Sequence, residues 1–170
     1  MRFKVSLVVW VVLSVGCALS QQNEAKPTEI KLEKIKASDV EKTVAAHKGK
    51  VVIVDVWADF CLPCKKKFPH LVKLHKELAS EGLVCISLSV DLQDNFDGAL
   101  EFLKKQGAVF PNYILWDNDE NKDKLEKTFS HTSPPIIHVF DRKGKKIETW
   151  EGKIEEDKID ALIKDLLKEK

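Results

Sequence analysis

Apolar residues along this chain recur with two different periods, and each change of period marks a new element. Residues 30–35 alternate apolar and charged, the pattern of a half-buried edge strand, and Ser38 is placed to cap a short helix running to about His47. The nearly unbroken β-branched run at 51–58 reads as a central strand buried on both faces. Beyond Phe60, the residues Cys64, Phe68, Leu71, Val72, His75 and Leu78 are spaced by three and four, which predicts an amphipathic helix stopped at Gly82. A second buried strand follows at 83–90, then a helix with Phe96, Ala99, Leu100 and Leu103 on its inner stripe, ended by Gly107. Residues 113–116 read as a short strand and 122–129 as a short helix. The runs 136–140 and 146–150 flank Asp141-Arg142-Lys143-Gly144 as a hairpin, and Ile159, Leu162, Ile163, Leu166 and Leu167 form one face of a closing helix. Strands alternate with helices and no repeat interrupts them, so one layered α/β domain is expected over residues 30–170.

The first twenty residues break this pattern. Arg2 and Lys4 precede an apolar run and then the small residues before Gln21, with no carboxylate, which is the form of an export signal. The run is too short for a spanning helix, which needs about 20 residues. Two processing routes fit: cleavage after Ser20, or a lipoprotein-type signal that ends before Cys17 and makes that cysteine a lipid anchor. Residues 21–29 are polar and read as a tether. The mature domain is thus expected outside the cytoplasm, in the periplasm or anchored to a membrane facing outward.

Composition narrows the function. With 28 Lys+Arg against 27 Asp+Glu, and no basic block interleaved with aromatics, the chain lacks a nucleic-acid footprint. Of four cysteines, Cys61 and Cys64 flank Leu62 and Pro63 at the start of the helix predicted beyond Phe60. Such a pair can close a small disulfide, and backbone N–H groups at a helix N-terminus favour a thiolate at the leading sulfur. A zinc site is another reading, but it normally asks for a second ligand pair. A purely structural disulfide is a third, though a loop this short restrains little chain entropy. Asp55 is a carboxylate inside an otherwise apolar buried run, where burial should raise its pKa, unless it faces a helix end or a polar pocket. Cys85 is explained by core packing.

The segment 54–65, Val-Asp-Val-Trp-Ala-Asp-Phe-Cys-Leu-Pro-Cys-Lys, with Pro69 following, resembles the active-site strand and helix of the thioredoxin superfamily. Residues 135–145 resemble its cis-proline strand and hairpin. The extra helix and strand at 94–116 and the export signal resemble the exported thiol–disulfide oxidoreductases of the TlpA and ResA type. That resemblance implies an α/β three-layer thioredoxin-like fold, with a central mixed sheet flanked by helices and an extra αβ insertion. It implies Cys61 as nucleophile, Cys64 as resolving thiol and Asp55 as proton-transfer group, with no cofactor and no metal. Trp57, Phe60, Leu62, Pro63, Pro134 and Pro135 would line the substrate site, although Trp57 is equally well read as core. Cysteine-containing protein substrates and a membrane-bound or exported electron donor are the implied partners, and a monomer is expected. The chain departs from that subgroup at Lys67, where Glu is usual, and at Asp55, where an uncharged residue is common. Lys67, on its long stem, is expected to be solvated. Pro134 has no N–H to offer an extended substrate. A copper-handling thioredoxin-like protein is the alternative, with His131 and His138 approaching the cysteines from the proline loop.

Overall fold

The structure, a computed structural model, describes residues 29–116 and 133–169. In chain order it contains β1 (Glu33–Ile35), α1 (Ala37–Ala45), β2 (Val51–Trp57), α2 (Leu62–Leu78), β3 (Leu83–Ser89), α3 (Phe96–Gln106), β4 (Asn112–Leu115), β5 (Ile136–Phe140), β6 (Lys146–Glu151) and α4 (Glu156–Lys168). The predicted helix at 122–129, the leader, Cys17 and the start of the tether lie outside the described residues.

The six strands form one mixed sheet in the order β1-β4-β3-β2-β5-β6. β2 runs parallel to β3 and antiparallel to β5, so Asp55 sits opposite Ser87 on one side and Ile137 on the other. The inserted β4 enters the sheet between β1 and β3, pairing parallel with both. All seven residues of β2 are buried, and their alternation supplies two cores. Val51, Ile53 and Trp57 face α2, α3 and α4 and pack with Phe68, Leu103 and Ile163. Val52, Val54 and Val56 face α1 and pack with Val40 and Val44. β2 is therefore the central strand expected, with helices on both sides of the sheet.

The structure corrects two details at the start of the domain. β1 begins at Glu33, and α1 begins at Ala37 with Lys36 as its N-cap and no side-chain capping bond, so Ser38 lies inside the first turn. The physical reason is burial: Ala37 and Val40 are each 3% exposed. Seating both against the sheet outweighs a side-chain cap worth about 1 kcal/mol. The helix also stops at Ala45, and a turn carries the chain into β2.

The helix that follows β2 ends as its sequence predicts. Gly82 closes it in the left-handed region at φ 107°, after a short turn at Ala79–Glu81.

Candidate active site

β2 delivers the chain through Ala58, Asp59 and Phe60 directly to the head of α2. Cys61 is the N-cap of that helix, and its sulfur accepts the backbone N–H of Cys64 at 3.2 Å. Pro63 occupies the first turn, where its missing N–H removes no helical bond. Cys61 and Cys64 form a disulfide, with their Cα atoms 5.3 Å apart. The two sulfurs differ in surroundings more than in exposure: Cys61 is 6% and Cys64 2% exposed in this oxidised form. What does project is apolar, since Phe60 and Leu62 on either side of Cys61 are 72% and 69% exposed.

Behind the disulfide lies Asp55, only 5% exposed. It shares a narrow cavity of about 10 Å³ with Cys64, Lys67, His70, Pro135 and Glu156. No group among the described residues hydrogen-bonds its carboxylate; its sheet neighbour Ser87 donates instead to Asn112 Oδ1 at 2.8 Å. Burial pushes the Asp55 carboxyl up from 3.8 to about 7. On β3, burial and the nearby Asp55 charge push the Cys85 thiol far above its ordinary range, which keeps it neutral. Cys85 is a free, wholly buried cysteine that contributes to the core.

Lys67 is a correction. The expected solvated lysine is only about one-third exposed, lines the Asp55 cavity, and reaches Glu156 Oε1 on α4 at 3.3 Å. One turn further on, His70 Nε2 contacts Asp160 Oδ1 at 2.8 Å. Both positions face α4 because three-residue spacing keeps them on one side of α2. The two pairs tie α2 to α4 beside the cavity.

The sequence reading missed Asp91. Its carboxylate is 4% exposed and accepts the Asp59 N–H on both oxygens, at 3.0 and 2.9 Å, together with the Ser89 hydroxyl at 2.8 Å and the Asn95 amide at 3.2 Å. The Asp59 side chain in turn pairs with Lys65. Asp91 thus fixes the loop between β2 and Cys61. A lone Asp after a strand reads in sequence as an ordinary turn residue, so only the adjacency of the β2 and β3 ends gives it this place.

The remaining candidates divide. Trp57 is fully buried against Phe68 and Phe102, at ring-centroid distances of 5.4 and 4.9 Å, so it occupies the core and offers no surface to a substrate. The Pro134–Pro135 peptide is cis; Pro135 is buried and lines the cavity beside Cys64, and Pro134 is half-buried. His138 does not approach the cysteines. It is paired with Val54, on the sheet face opposite Asp55, and its Nδ1 lies 2.9 Å from the Thr149 hydroxyl. Burial, with Lys146 nearby, lowers its pKa to about 4. His131 lies outside the described residues. No group of three or more metal-ligating side chains occurs among the described residues.

Residues 22–146 match the AhpC/TSA family. The chain belongs to the AhpC/TSA family. A thiol-disulfide oxidoreductase ResA of Bacillus thuringiensis subsp. konkukian is 25% identical over 137 residues, which is 81% of this chain and 71% of that protein. The thiol:disulfide interchange protein CycY of Rhizobium leguminosarum bv. viciae is 36% identical over 100 residues, 58% of this chain and 49% of that one. Among solved structures, a thiol-disulfide isomerase from Corynebacterium glutamicum superposes with a TM-score of 0.64 at 22% identity, covering 76% of this chain and 86% of that one. An exposed lipoprotein thioredoxin from Streptococcus pneumoniae superposes with a TM-score of 0.58 at 22% identity, covering 72% and 89%. These likenesses show the thioredoxin-like fold. This AhpC/TSA-family protein is a thioredoxin-like thiol–disulfide oxidoreductase, with Cys61 and Cys64 as its cysteine pair.

The raised Asp55 pKa has a definite sign in stability. Between pH 3.8 and about 7 the folded AhpC/TSA-family protein holds a proton at Asp55 that the unfolded chain has released. Stability therefore falls as pH rises through that window, by roughly 4 kcal/mol at most. Asp55→Asn removes the ionisable group. In urea unfolding of the oxidised protein the variant should be markedly more stable than wild type at pH 8, with that advantage gone at pH 4. An equal loss of stability at both pH values would contradict the burial-raised carboxyl.

Proposed function

We propose that this protein exchanges its Cys61–Cys64 pair with cysteine-containing protein substrates outside the cytoplasm, through a mixed disulfide at Cys61. The observation that carries this reading is the asymmetry of the two sulfurs. Cys61 receives a backbone N–H at the head of a helix, the position that stabilises a thiolate, while Cys64 borders the cavity of a buried carboxyl.

In the reducing direction the Cys61 thiolate attacks one sulfur of a substrate disulfide, and the other substrate sulfur leaves as a thiolate. Cys64 then gives its proton to Asp55 and attacks the Cys61 sulfur, which forms the intramolecular disulfide and expels the second substrate thiolate. Two electrons pass from the cysteine pair to the substrate. The oxidising direction is the same sequence reversed.

A carboxyl with a pKa near neutrality suits this work, because it accepts and returns a proton with little bias at the operating pH. Exposed Phe60, Leu62 and Pro63 border the attacking sulfur, and Pro135, just ahead of β5, lines the cavity with Cys64 and is joined to Pro134 by a cis peptide, so substrate contact is assigned to these residues. Trp57 acts as core packing against Phe68 and Phe102.

Location outside the cytoplasm is supported by the leader pattern of residues 1–20 and by the Streptococcus pneumoniae neighbour, itself described as an exposed lipoprotein. Among the described residues no helix is long and apolar enough to cross a membrane. An exported or membrane-bound donor then restores the dithiol, and the domain acts as a monomer.

Reaction with a disulfide-containing test peptide separates the sulfur roles. Cys64→Ser should accumulate a stable mixed disulfide on Cys61, and Cys61→Ser should accumulate none; trapping through Cys64 at a comparable rate would refute the assignment. For location, membrane fractionation of the native and Cys17→Ser proteins, with sequencing of the mature N-terminus, distinguishes the two processing routes. A mature protein that retains Met1–Ser20 would rule out both.

A further inference from the structure

A buried base must exchange its proton with solvent in every cycle, and the surroundings of Asp55 leave few ways to do so. On β3, Ser87 is committed to Asn112 and Cys85 is a neutral buried thiol. On β5, Ile137 lies opposite Asp55, and His138 belongs to the other face of the sheet. Trp57, next on the same face of β2, is wholly enclosed. What remains is the cavity on the α2 and α4 side. Its polar and titratable lining besides Asp55 is Cys64, Lys67 and His70 from α2 and Glu156 from α4, and its volume of about 10 Å³ is close to the room one water molecule needs.

These groups are not equivalent as proton carriers. The Lys67 ammonium has donors only and accepts nothing while charged. The His70 side chain is 12% exposed, and its Nε2 is engaged by Asp160. The Glu156 side chain is 42% exposed, accepts protons, lines the cavity, and is held there by Lys67 at 3.3 Å. Among the described residues it is the cavity-lining carboxylate that also meets bulk water.

We propose that Glu156 is the proton relay of the redox site, carrying protons between the Asp55 cavity and solvent while Lys67 holds its carboxylate over the cavity. The proposal rests on the reading of Asp55 as the group that takes the proton from Cys64. In the resolving step the proton passes from the Cys64 thiol to the Asp55 carboxylate, then through one intervening water to the Glu156 carboxylate, and from there to solvent. The reverse order serves the opposite direction. Only protons move along this path; the electron pair moves in the sulfur exchange alone. Glu156 does not touch the reacting sulfurs, and Lys67 is a positioning residue.

The test is single-turnover resolution of the Cys61 mixed disulfide in the full chain, measured from pH 6 to 9 in dilute buffer with and without imidazole as a small diffusible base. Loss of a positioned proton carrier lowers rates by about 10²–10⁴ when it acts at the reacting atom, so Asp55→Asn should fall in that range. A relay one step removed should cost less, about ten-fold for Glu156→Gln, with the rate recovering as imidazole is added. Glu156→Asp should retain most of the wild-type rate, and Lys67→Met should show a smaller defect that imidazole also relieves. A wild-type rate in Glu156→Gln, or a slow rate that imidazole leaves unchanged, would overturn the relay. So would an imidazole-sensitive defect in His70→Asn with none in Glu156→Gln. Asp55→Asn separates the two layers of the argument: a normal rate there refutes the Asp55 reading itself, whereas a slow Asp55→Asn beside a normal Glu156→Gln refutes the relay alone.

Discussion

Placing Asp55 inside β2 is the constraint around which the site is built. A carboxylate taken out of water without a hydrogen-bond donor is strongly destabilised as an ion, so the group stays protonated until about pH 7. Nothing in the sheet relieves that penalty: Ile137 is apolar and Ser87 is turned to Asn112. The strand tolerates it because six of its seven residues are apolar and the strand is paired with β3 along its whole length and with β5 over 52–56, so the local fold does not depend on the charge state of one side chain. The same burial that costs stability as pH rises from 3.8 to about 7 gives the carboxyl an affinity for protons matched to thiol chemistry.

The second half of the device is the head of α2. A helix of 17 residues presents the Cys64 backbone N–H to the sulfur of Cys61, and Cys64 in its first turn lines the Asp55 cavity. Its position is fixed from two directions. Asp91 holds the incoming loop by accepting the Asp59 N–H, and the Lys67–Glu156 and His70–Asp160 pairs hold the far side against α4. Both contacts are part-buried and join side chains from two different helices. Their value here is placement, since both sit where α2 and α4 meet the cavity.

Much of this was legible in the residue pattern. The β-branched run of β2, the three-and-four spacing of α2 and the Cys61–Cys64 pair are local signals, and local signals identify an element whatever surrounds it. The strain of a carboxylate at Asp55 was visible for the same reason, as a polar residue in a pattern that buries every neighbour. Lys67 was misread because spacing assigns it to a helix but says nothing of whether α4 will bring an acceptor to it. Asp91 was missed because the partner that ties it to the site, the Asp59 N–H, lies in the loop after β2 at a sequence separation of 32. Ser38 had the right chemistry for a cap, yet the burial of Ala37 puts the helix start ahead of it, at Ala37. His138 looked available to the cysteines from its place after the prolines, and only the register of β5 against β2 turns it to the opposite face.

Burial holds the Asp55 carboxyl near neutrality, half-ionised at pH 7 and able both to take and to return a proton, and the titration of that one carboxyl measures this directly. With aspartate side-chain carboxyl carbons labelled with ¹³C, and Asp55→Asn used to assign the resonance, the chemical shift of Asp55 followed from pH 3 to 9 in the oxidised protein should show its midpoint near 7. A midpoint in the ordinary carboxylate range, near 3.9, would contradict the claim that desolvation governs the site.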